Sequence, residues 1–275
     1  MRFDHPNSVS GMIGHTVCEG YAAFGNLDKL LGPDAVDRLW DLVFPDYPYE
    51  QGGIWKLFHD EPEREEGFGR AMWSLEGLGG KAMAMDAPFN KFDRFIDIGG
   101  SLGHFLYKIM LNNPGKEGIL LDRPEVIENA KKLWYEDDGM YKDGTQESLT
   151  MINGDFFDSS AIPEGRDGDV YFMRYILHDW QEAECLKILR NLHEKMKGKK
   201  TTLLIGECAM PNRDTIGQPP AIYKVDMLML DIFGDAMERT PLQWKDLLEK
   251  AGFQLVAIYP TRSLVHFVEA VPMVD

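Results

Sequence analysis

The sequence predicts an α/β protein with a mostly parallel sheet, a terminal antiparallel hairpin and a short helical segment at the N-terminus. Two observations predict this fold class. From Phe92 onward, short apolar runs alternate with amphipathic stretches of helical period, as in repeated strand–helix–strand units. The last two apolar runs are joined only by residues 260–263, which leave no room for a crossover helix. Those two strands should therefore pair antiparallel.

The alternating region divides into a series of predicted strands and helices. The strands are Phe92–Asp97, Gly118–Leu121, Thr150–Ile152, Val170–Met173, Thr201–Gly206, Gln254–Tyr259 and Leu264–Ala270. The helices are Gly103–Asn112, Glu125–Lys132, Glu182–Lys197, Ile222–Phe233 and Leu242–Ala251. Thr240 and Pro241 favour a helix start, because a threonine hydroxyl can cap the first turn and proline suits the first helical position.

The N-terminal part of the chain has a different pattern. Val36–Phe44 and Phe68–Leu78 have helical periodicity, and the loop-rich stretch 45–53 separates them. The sequence therefore predicts a helical segment over residues 1–90, followed by an α/β domain over residues 91–275.

The composition excludes several classes of protein. The chain has 275 residues and a formal net charge of -16, which argues against a nucleic-acid partner, since such proteins usually carry a basic face. Its three cysteines, Cys18, Cys185 and Cys208, are too far apart to suggest a disulfide framework or a zinc site, so reduced thiols in a cytoplasmic protein are expected. No segment has the apolar length of a signal peptide core or a membrane span, so no membrane partner is predicted.

A glycine turn follows the first strand, in the segment Asp97-Ile98-Gly99-Gly100-Ser101-Leu102-Gly103. Such turns form nucleotide sites outside the carboxyl ends of parallel strands. The dinucleotide pattern Gly-x-Gly-x-x-Gly is not met, because His104 stands where its last glycine belongs. The spacing is closer to the Asp-x-Gly-x-Gly-x-Gly pattern of S-adenosylmethionine binders, with Ser101 replacing the middle glycine. A purely structural turn is the alternative interpretation.

Three further features favour an adenosyl cofactor. Asp122 ends the next strand, where a carboxylate can accept both ribose hydroxyls; its alternative role is a helix N-cap. Asp155 and Phe156 follow the third strand and could bind the adenine amino group and ring, or form a turn with a core aromatic. Arg174 lies just beyond the fourth strand. Their order and spacing together indicate S-adenosylmethionine.

The segment after the fourth strand carries the candidate chemistry. His178 follows that strand closely, and a neutral imidazole, with a pKa of about 6.5, can take a proton from a phenol whose pKa is about 10. Glu207 ends the fifth strand and could orient the imidazole and stabilise its cation. Glu238 could flank His178 from the other side, or instead serve as a cap or pair with Arg239. A structural histidine is the alternative for His178.

These motifs resemble the S-adenosylmethionine-dependent O-methyltransferases of the caffeic acid, flavonoid and acetylserotonin type. Six segments, in family order from about Pro6 to the end, carry the resemblance. They are Asp97-Ile98-Gly99-Gly100, Leu121-Asp122-Arg123-Pro124-Glu125-Val126, Gly154-Asp155-Phe156-Phe157, Leu177-His178-Asp179-Trp180, Gly206-Glu207-Cys208 and Glu238-Arg239-Thr240. The resemblance implies a Rossmann-like class I methyltransferase sheet, S-adenosyl-L-methionine as cofactor, a small aromatic molecule with a hydroxyl as acceptor, and no metal.

The resemblance also implies site residues. The catalytic histidine maps to His178 and the two assisting glutamates to Glu207 and Glu238. The cofactor positions map to Asp97, Gly99, Gly100, Ser101, Asp122, Arg123, Asp155, Phe156 and Arg174, where Arg174 replaces a lysine that is often found. The acceptor positions map to Phe68, Met72, Asp179, Leu228, Met229 and Phe233, although core packing is the default interpretation of the apolar ones.

Two departures from the family pattern bear on these expectations. Ser101 replaces a glycine, which should still allow cofactor binding. The chain also begins about where the family's N-terminal winged-helix dimerisation domain should be ending, so most of that domain is expected to be missing. This leaves a homodimer and catalytic competence as open expectations.

Other functions remain alternatives at this level. One is a non-methylating protein on the same scaffold that binds the cofactor and acts as a ligand-binding regulator or catalyses a rearrangement. An NAD-dependent reductase is disfavoured by the glycine spacing and the terminal hairpin. A metal-dependent catechol methyltransferase is disfavoured because the motifs are those of the metal-free group.

Overall fold

The computed structural model describes residues 9–136, 141, 143–211 and 220–273. Two compact units are present. The smaller comprises Met1–Leu78, His178–Gln181 and Ile216–Glu238, and the larger comprises Gly79–Leu177, Glu182–Thr215 and Arg239–Asp275. The chain therefore returns to the smaller unit twice after the sheet has begun.

The larger unit is built on one seven-stranded sheet. The strands are β1 Arg94–Ile98, β2 Glu117–Asp122, β3 Leu149–Asn153, β4 Asp169–Arg174, β5 Thr202–Cys208, β6 Phe253–Pro260 and β7 Val265–Pro272. Their order across the sheet is β3-β2-β1-β4-β5-β7-β6. Neighbours among the first five strands are parallel, whereas β7 is antiparallel to both β5 and β6. The predicted fold class, including the terminal hairpin, is confirmed.

The helices of the described residues are distributed over both units. They are α1 Ser10–His15, α2 Tyr21–Phe24, α3 Leu39–Val43, α4 Gly53–Asp60, α5 Pro62–Asp86, α6 His104–Asn112, α7 Pro124–Tyr135, α8 Glu182–Met196, α9 Pro220–Phe233 and α10 Pro241–Lys250. A π-helical turn, Thr16–Gly20, joins α1 to α2. None of these helices combines the length and apolar character needed to cross a membrane.

The sheet is buried because its central strands are apolar on both faces. All residues of β1 and β5 are buried, as expected for parallel strands covered on each side. Aromatic rings fill the adjoining core: Phe89 contacts Phe95, Phe105, Phe172 and Phe267, each in an edge-to-face arrangement. This packing supports the strand ends that carry the candidate site.

The smaller unit has its own hydrophobic core. Buried side chains of α3, α4 and α9 form a cluster around Trp40, Phe58, Met229 and Phe233. Phe68 on α5 packs against this cluster. Two independent cores explain why the chain separates into two compact units.

Candidate active site

The glycine turn after β1 has the left-handed backbone conformations that let a ligand approach a loop closely. Gly99 and Gly103 have φ values of 70° and 78°, and Ser101, which replaces a glycine of the family pattern, has φ 55°. This left-handed conformation costs a non-glycine residue about 1–2 kcal/mol. A Cβ at Gly100 would lie 2.4 Å from the Asp97 carboxylate and from Leu120, so only glycine fits there.

Asp122, at the end of β2, organises this turn. One carboxylate oxygen accepts a hydrogen bond from the Ser101 amide at 2.7 Å and the other accepts one from the Arg123 amide at 2.8 Å. Helix α7 begins after Arg123 without a side-chain cap, so Asp122 does not act as its N-cap. Each carboxylate oxygen has two acceptor positions, so an aspartate can accept more than one hydrogen bond on each oxygen. Arg123 pairs with Glu125 at 3.1 Å.

The third and fourth strands place the other cofactor candidates in the same unit. Asp155 accepts a hydrogen bond from the Phe157 amide at 2.8 Å, which forms the turn foreseen as its alternative role. Phe156 is half-buried. Its ring lies near Gly99, because a Cβ added to Gly99 would be 3.5 Å from a carbon of that ring. The Arg174 guanidinium lies over the Phe105 ring, 4.6 Å from its centroid.

His178 is buried in the smaller unit and bonded to a carboxylate. Its Nδ1 lies 2.7 Å from Glu238 Oε1, and its Nε2 lies 3.4 Å from Asp179 Oδ1. A carboxylate only accepts hydrogen bonds at neutral pH, so the proton of a neutral imidazole belongs on Nδ1. This tautomer leaves Nε2 as the basic nitrogen. Glu238 thus flanks His178, which is one of the two roles considered for it.

Asp226 on α9 holds Glu238 in place. Its carboxylate accepts a hydrogen bond from the Glu238 amide at 2.8 Å. Burial raises the pKa of Asp226 above its ordinary value, although the hydrogen bond from the Glu238 amide opposes this rise. Sequence reasoning missed this residue, because an acid inside an amphipathic helix has no local signal that marks a distant backbone partner.

Glu207, at the end of β5 in the larger unit, binds the backbone that leads to His178. One carboxylate oxygen accepts hydrogen bonds from the amides of Ile176 and Leu177 at 3.1 and 3.0 Å. Glu207 is only 1% exposed, so these bonds are shielded from water. This carboxylate therefore binds the turn that precedes the histidine.

The predicted acceptor residues all belong to the smaller unit. Phe68, Leu228, Met229 and Phe233 belong to or pack against its core cluster. Met72 lies one turn after Phe68 on α5 and is half-buried. Asp179, which follows His178, is 7% exposed.

Two tryptophans extend this aromatic group, and sequence reasoning missed them. Trp55 stacks on Trp180 and on Phe233, with ring centroids 6.1 Å apart in each pair. It also meets Phe68 edge-on at 5.7 Å. The position of Trp180, directly after His178 and Asp179, was an available signal, whereas Trp55 had none in its local pattern. The rings form flat apolar surfaces of the type that aromatic ligands contact.

The fold and these residues define a class: an α/β protein with a glycine turn and acids at the carboxyl ends of parallel strands. A family model described as an O-methyltransferase domain matches residues 34–254. The chain belongs to this O-methyltransferase family.

Individual relatives agree with this assignment. The chain is 32% identical over 209 residues to a mitomycin biosynthesis 6-O-methyltransferase of Streptomyces lavendulae, covering 75% of this chain and 55% of the relative. It is 33% identical over 213 residues to phenazine O-methyltransferase PhzM of Lysobacter antibioticus, covering 77% and 58%. Thus the chain spans little more than half the length of these relatives.

Solved structures give the same picture of the fold. The structure of LaPhzM superposes with a TM-score of 0.83 at 28% identity, covering 99% of this chain and 75% of that one. The mitomycin 7-O-methyltransferase MmcR superposes with a TM-score of 0.80 at 26% identity, covering 98% and 73%. The class I methyltransferase sheet implied by the sequence is therefore confirmed.

Proposed function

We propose that this chain is an S-adenosyl-L-methionine-dependent O-methyltransferase that methylates a hydroxyl of a small aromatic molecule, with His178 as the general base. The observation that carries the proposal is the hydrogen bond between His178 Nδ1 and Glu238 Oε1 at 2.7 Å. It supports a tautomer whose Nε2 can accept a proton, and a carboxylate that stabilises the resulting cation.

The cofactor follows from the residues of the larger unit. Gly99, Gly100 and Ser101 supply a turn that a ligand can approach closely, and Asp122 supplies carboxylate acceptor positions for ribose. Asp155, Phe156 and Arg174 complete the proposed adenosyl site. When bound, S-adenosylmethionine supplies a methyl group on a sulfonium, which transfers with cleavage of its C–S bond and formation of an O–CH₃ bond.

The chain's own contribution is proton transfer and alignment. His178 Nε2 takes the proton of the acceptor hydroxyl as its oxygen becomes the nucleophile, and the imidazolium later releases that proton to water. Glu238 and Asp179 are both acidic neighbours of the ring and favour its protonated form. The aromatic group of Trp55, Phe68 and Phe233 would hold a flat acceptor ring.

The class of acceptor is supported by the relatives. Those named above are an O-methyltransferase of mitomycin biosynthesis and a phenazine O-methyltransferase. A panel of hydroxyphenazines, hydroxynaphthoates, hydroxyindoles, simple phenols and flavonoids therefore covers the proposed range. Metal is not part of the proposed reaction.

The test is methyl transfer from labelled cofactor to this panel. The wild-type chain should methylate at least one member, and His178→Ala should lose transfer by about 10²–10⁴-fold. His59→Ala is the control, because His59 is exposed on α4 of the same unit. Transfer that persists in His178→Ala would rule out the base assignment.

Binding of the cofactor product is measured separately by calorimetry. S-adenosylhomocysteine should bind the wild-type chain and lose affinity in Asp122→Ala, whereas Asp246→Ala, at an exposed position of α10, should bind normally. Binding without transfer to any panel member would favour the alternative, a cofactor-binding protein that does not methylate. Binding of NADH instead would overturn the cofactor assignment.

A further inference from the structure

The turn that leads from β4 to His178 is held by several polar contacts. Tyr175, its first residue, has φ 57°, which is uncommon for a bulky side chain and persists only where surrounding contacts fix it. The Tyr175 amide donates to the Gly206 carbonyl at 3.1 Å. The next two amides, of Ile176 and Leu177, both donate to Glu207. All three N–H groups of the turn are therefore bound.

The carbonyl group of Leu177 is bound just as firmly. Arg239 donates to it through Nη1 at 3.0 Å and the Cys185 thiol donates to it at 3.2 Å. A second guanidinium nitrogen of Arg239 lies 3.4 Å from Cys185 Sγ, so the two donors also contact one another. Burial raises the pKa of Cys185 to about 11, which keeps the thiol protonated and able to donate.

The charged one of these two donors, the Arg239 guanidinium, is costly to bury. Arg239 is 4% exposed and Cys185 is fully buried, and the guanidinium also lies over the Trp244 ring, 5.4 Å from its centroid. Burying a cation carries a large desolvation penalty. If packing were the only requirement at this position, an apolar side chain would fill the space without that penalty. The Arg239 guanidinium, which binds the Leu177 carbonyl and contacts Cys185 Sγ, instead supplies directional contacts that an apolar side chain cannot make.

The Leu177 carbonyl and the His178 amide belong to one planar peptide group. We propose that Arg239 and Cys185 are positioning residues for His178: by binding the Leu177 carbonyl, they fix the peptide plane from which the histidine side chain begins. This inference rests on the proposed role of His178 as the base. Glu238 and Arg239 then act as a consecutive pair, the first bonded to the His178 ring and the second to the carbonyl before it.

The kinetic test uses variants that remove one donor at a time. Arg239→Gln should lower kcat by about 10–100-fold, because small displacements of a catalytic group are costly, while KM for the methylated phenol and affinity for S-adenosylhomocysteine stay within about twofold. Arg239→Lys should recover part of the loss. Arg190→Gln is the matched control, since Arg190 donates to the Lys250 carbonyl on the surface. A wild-type kcat in Arg239→Gln would overturn the proposal.

The two cysteine variants separate a hydrogen bond from packing. Cys185→Ser keeps a donor of similar size, whereas Cys185→Ala removes it. The proposal requires the serine variant to retain more of kcat than the alanine variant, with equal S-adenosylhomocysteine affinity. Equal kcat values in the two variants would contradict it, and this pair decides the matter if Arg239→Gln does not fold.

A spectroscopic test is independent of methyl transfer. The chain has 7 histidines, and the imidazole signal of His178 can be assigned by its loss in His178→Gln. In Arg239→Gln and Cys185→Ala that signal should shift while the other histidine signals remain, whereas Arg190→Gln should change none. An unmoved His178 signal would refute the positioning role. If no panel member is methylated, the proposed function fails while this measurement still judges the role of Arg239 and Cys185.

Discussion

His178 and Glu238 are 60 residues apart in the chain, and a hydrogen bond joins their side chains. The sequence predicted both as members of one site because each follows or precedes a regular element at a characteristic place. It could not predict that Asp226 would hold the Glu238 amide, since that bond depends on how the chain after α9 returns to the helix. The side chains of His178 and Glu238 were therefore predicted as neighbours, whereas the bond between Asp226 and the Glu238 amide was not.

Replacement of Glu238 by glutamine tests the charge that stabilises the histidine cation. The amide oxygen can still accept from Nδ1, but the negative charge is lost. We expect Glu238→Gln to lower kcat by about 10–100-fold, in line with the loss of a carboxylate from a base–carboxylate pair, with little change in S-adenosylhomocysteine affinity. Steady-state kinetics on the methylated phenol measure this. Glu249→Gln, at an exposed position of α10, is the control, and full activity in Glu238→Gln would contradict the electrostatic role.

Asp231 is a buried acid outside the proposed chemistry. Its side chain is fully buried, and within the part of the chain that the structure describes neither carboxylate oxygen has a hydrogen-bond partner. Burial raises its pKa to about 7. The folded state therefore keeps this proton at pH values where the unfolded chain, with an ordinary aspartate pKa of about 3.9, has released it.

This shift predicts a pH-dependent stability. The free energy of unfolding should fall as pH rises from about 4 to about 7, because the unfolded state binds fewer protons over that range, and should then level off. A shift of about three pH units corresponds to about 4 kcal/mol. We expect Asp231→Asn to remove this decline relative to wild type in urea unfolding at pH 5 and pH 8. Asp246→Asn is the control, and an unchanged pH dependence in Asp231→Asn would show that another group causes it.

At the scale of elements, the sheet was the most predictable part. The predicted strands and the observed strands β1–β7 agree to within two residues at each end, because buried parallel strands are short apolar runs bounded by turn residues. The helices near the N-terminus were less predictable. Helices α1, α2 and α4 are short and were not predicted, and α5 extends well beyond the predicted Phe68–Leu78. Short helices depend on tertiary packing more than on local pattern.

The start of α10 provides a prediction about a single element. Thr240 and Gln243 form a capping box, in which each side chain bonds the backbone amide of the other. The predicted helix start is confirmed. We expect Thr240→Ala to reduce the free energy of unfolding by about 1 kcal/mol, and Thr240→Ser to retain most of it. Chemical denaturation measures both, and equal stability of the alanine and serine variants would contradict the capping role.

At the scale of the whole molecule, the chain passes between its two units more than once. The sequence predicted a boundary near residue 90 from a change in pattern. The structure assigns His178–Gln181 and Ile216–Glu238 to the smaller unit, together with residues before Leu78. Such returns depend on contacts between distant parts of the chain, which a local pattern does not record.

Cofactor binding should stabilise the protein by mass action. S-adenosylhomocysteine at 100 times its Kd should add about 2.7 kcal/mol to the free energy of unfolding. For a protein of this size, that corresponds to a rise in Tm of about 5–10 °C. Thermal unfolding with and without S-adenosylhomocysteine measures the shift, and Asp122→Ala should lose most of it. An equal rise with NADH would contradict the proposed cofactor specificity.

The sequence by itself determined the order of strands and helices from β1 onward, the terminal hairpin, the glycine turn and the family to which the chain belongs. These features are local, since they follow from apolar spacing, turn residues and short motifs. Only the tertiary structure decided that Glu238 bonds the His178 ring, that Glu207 binds two backbone amides, and that Arg239 and Cys185 bind the Leu177 carbonyl. A hydrogen bond requires its atoms to be placed within a few tenths of an ångström, and here that placement comes from the packing of residues far apart in the chain.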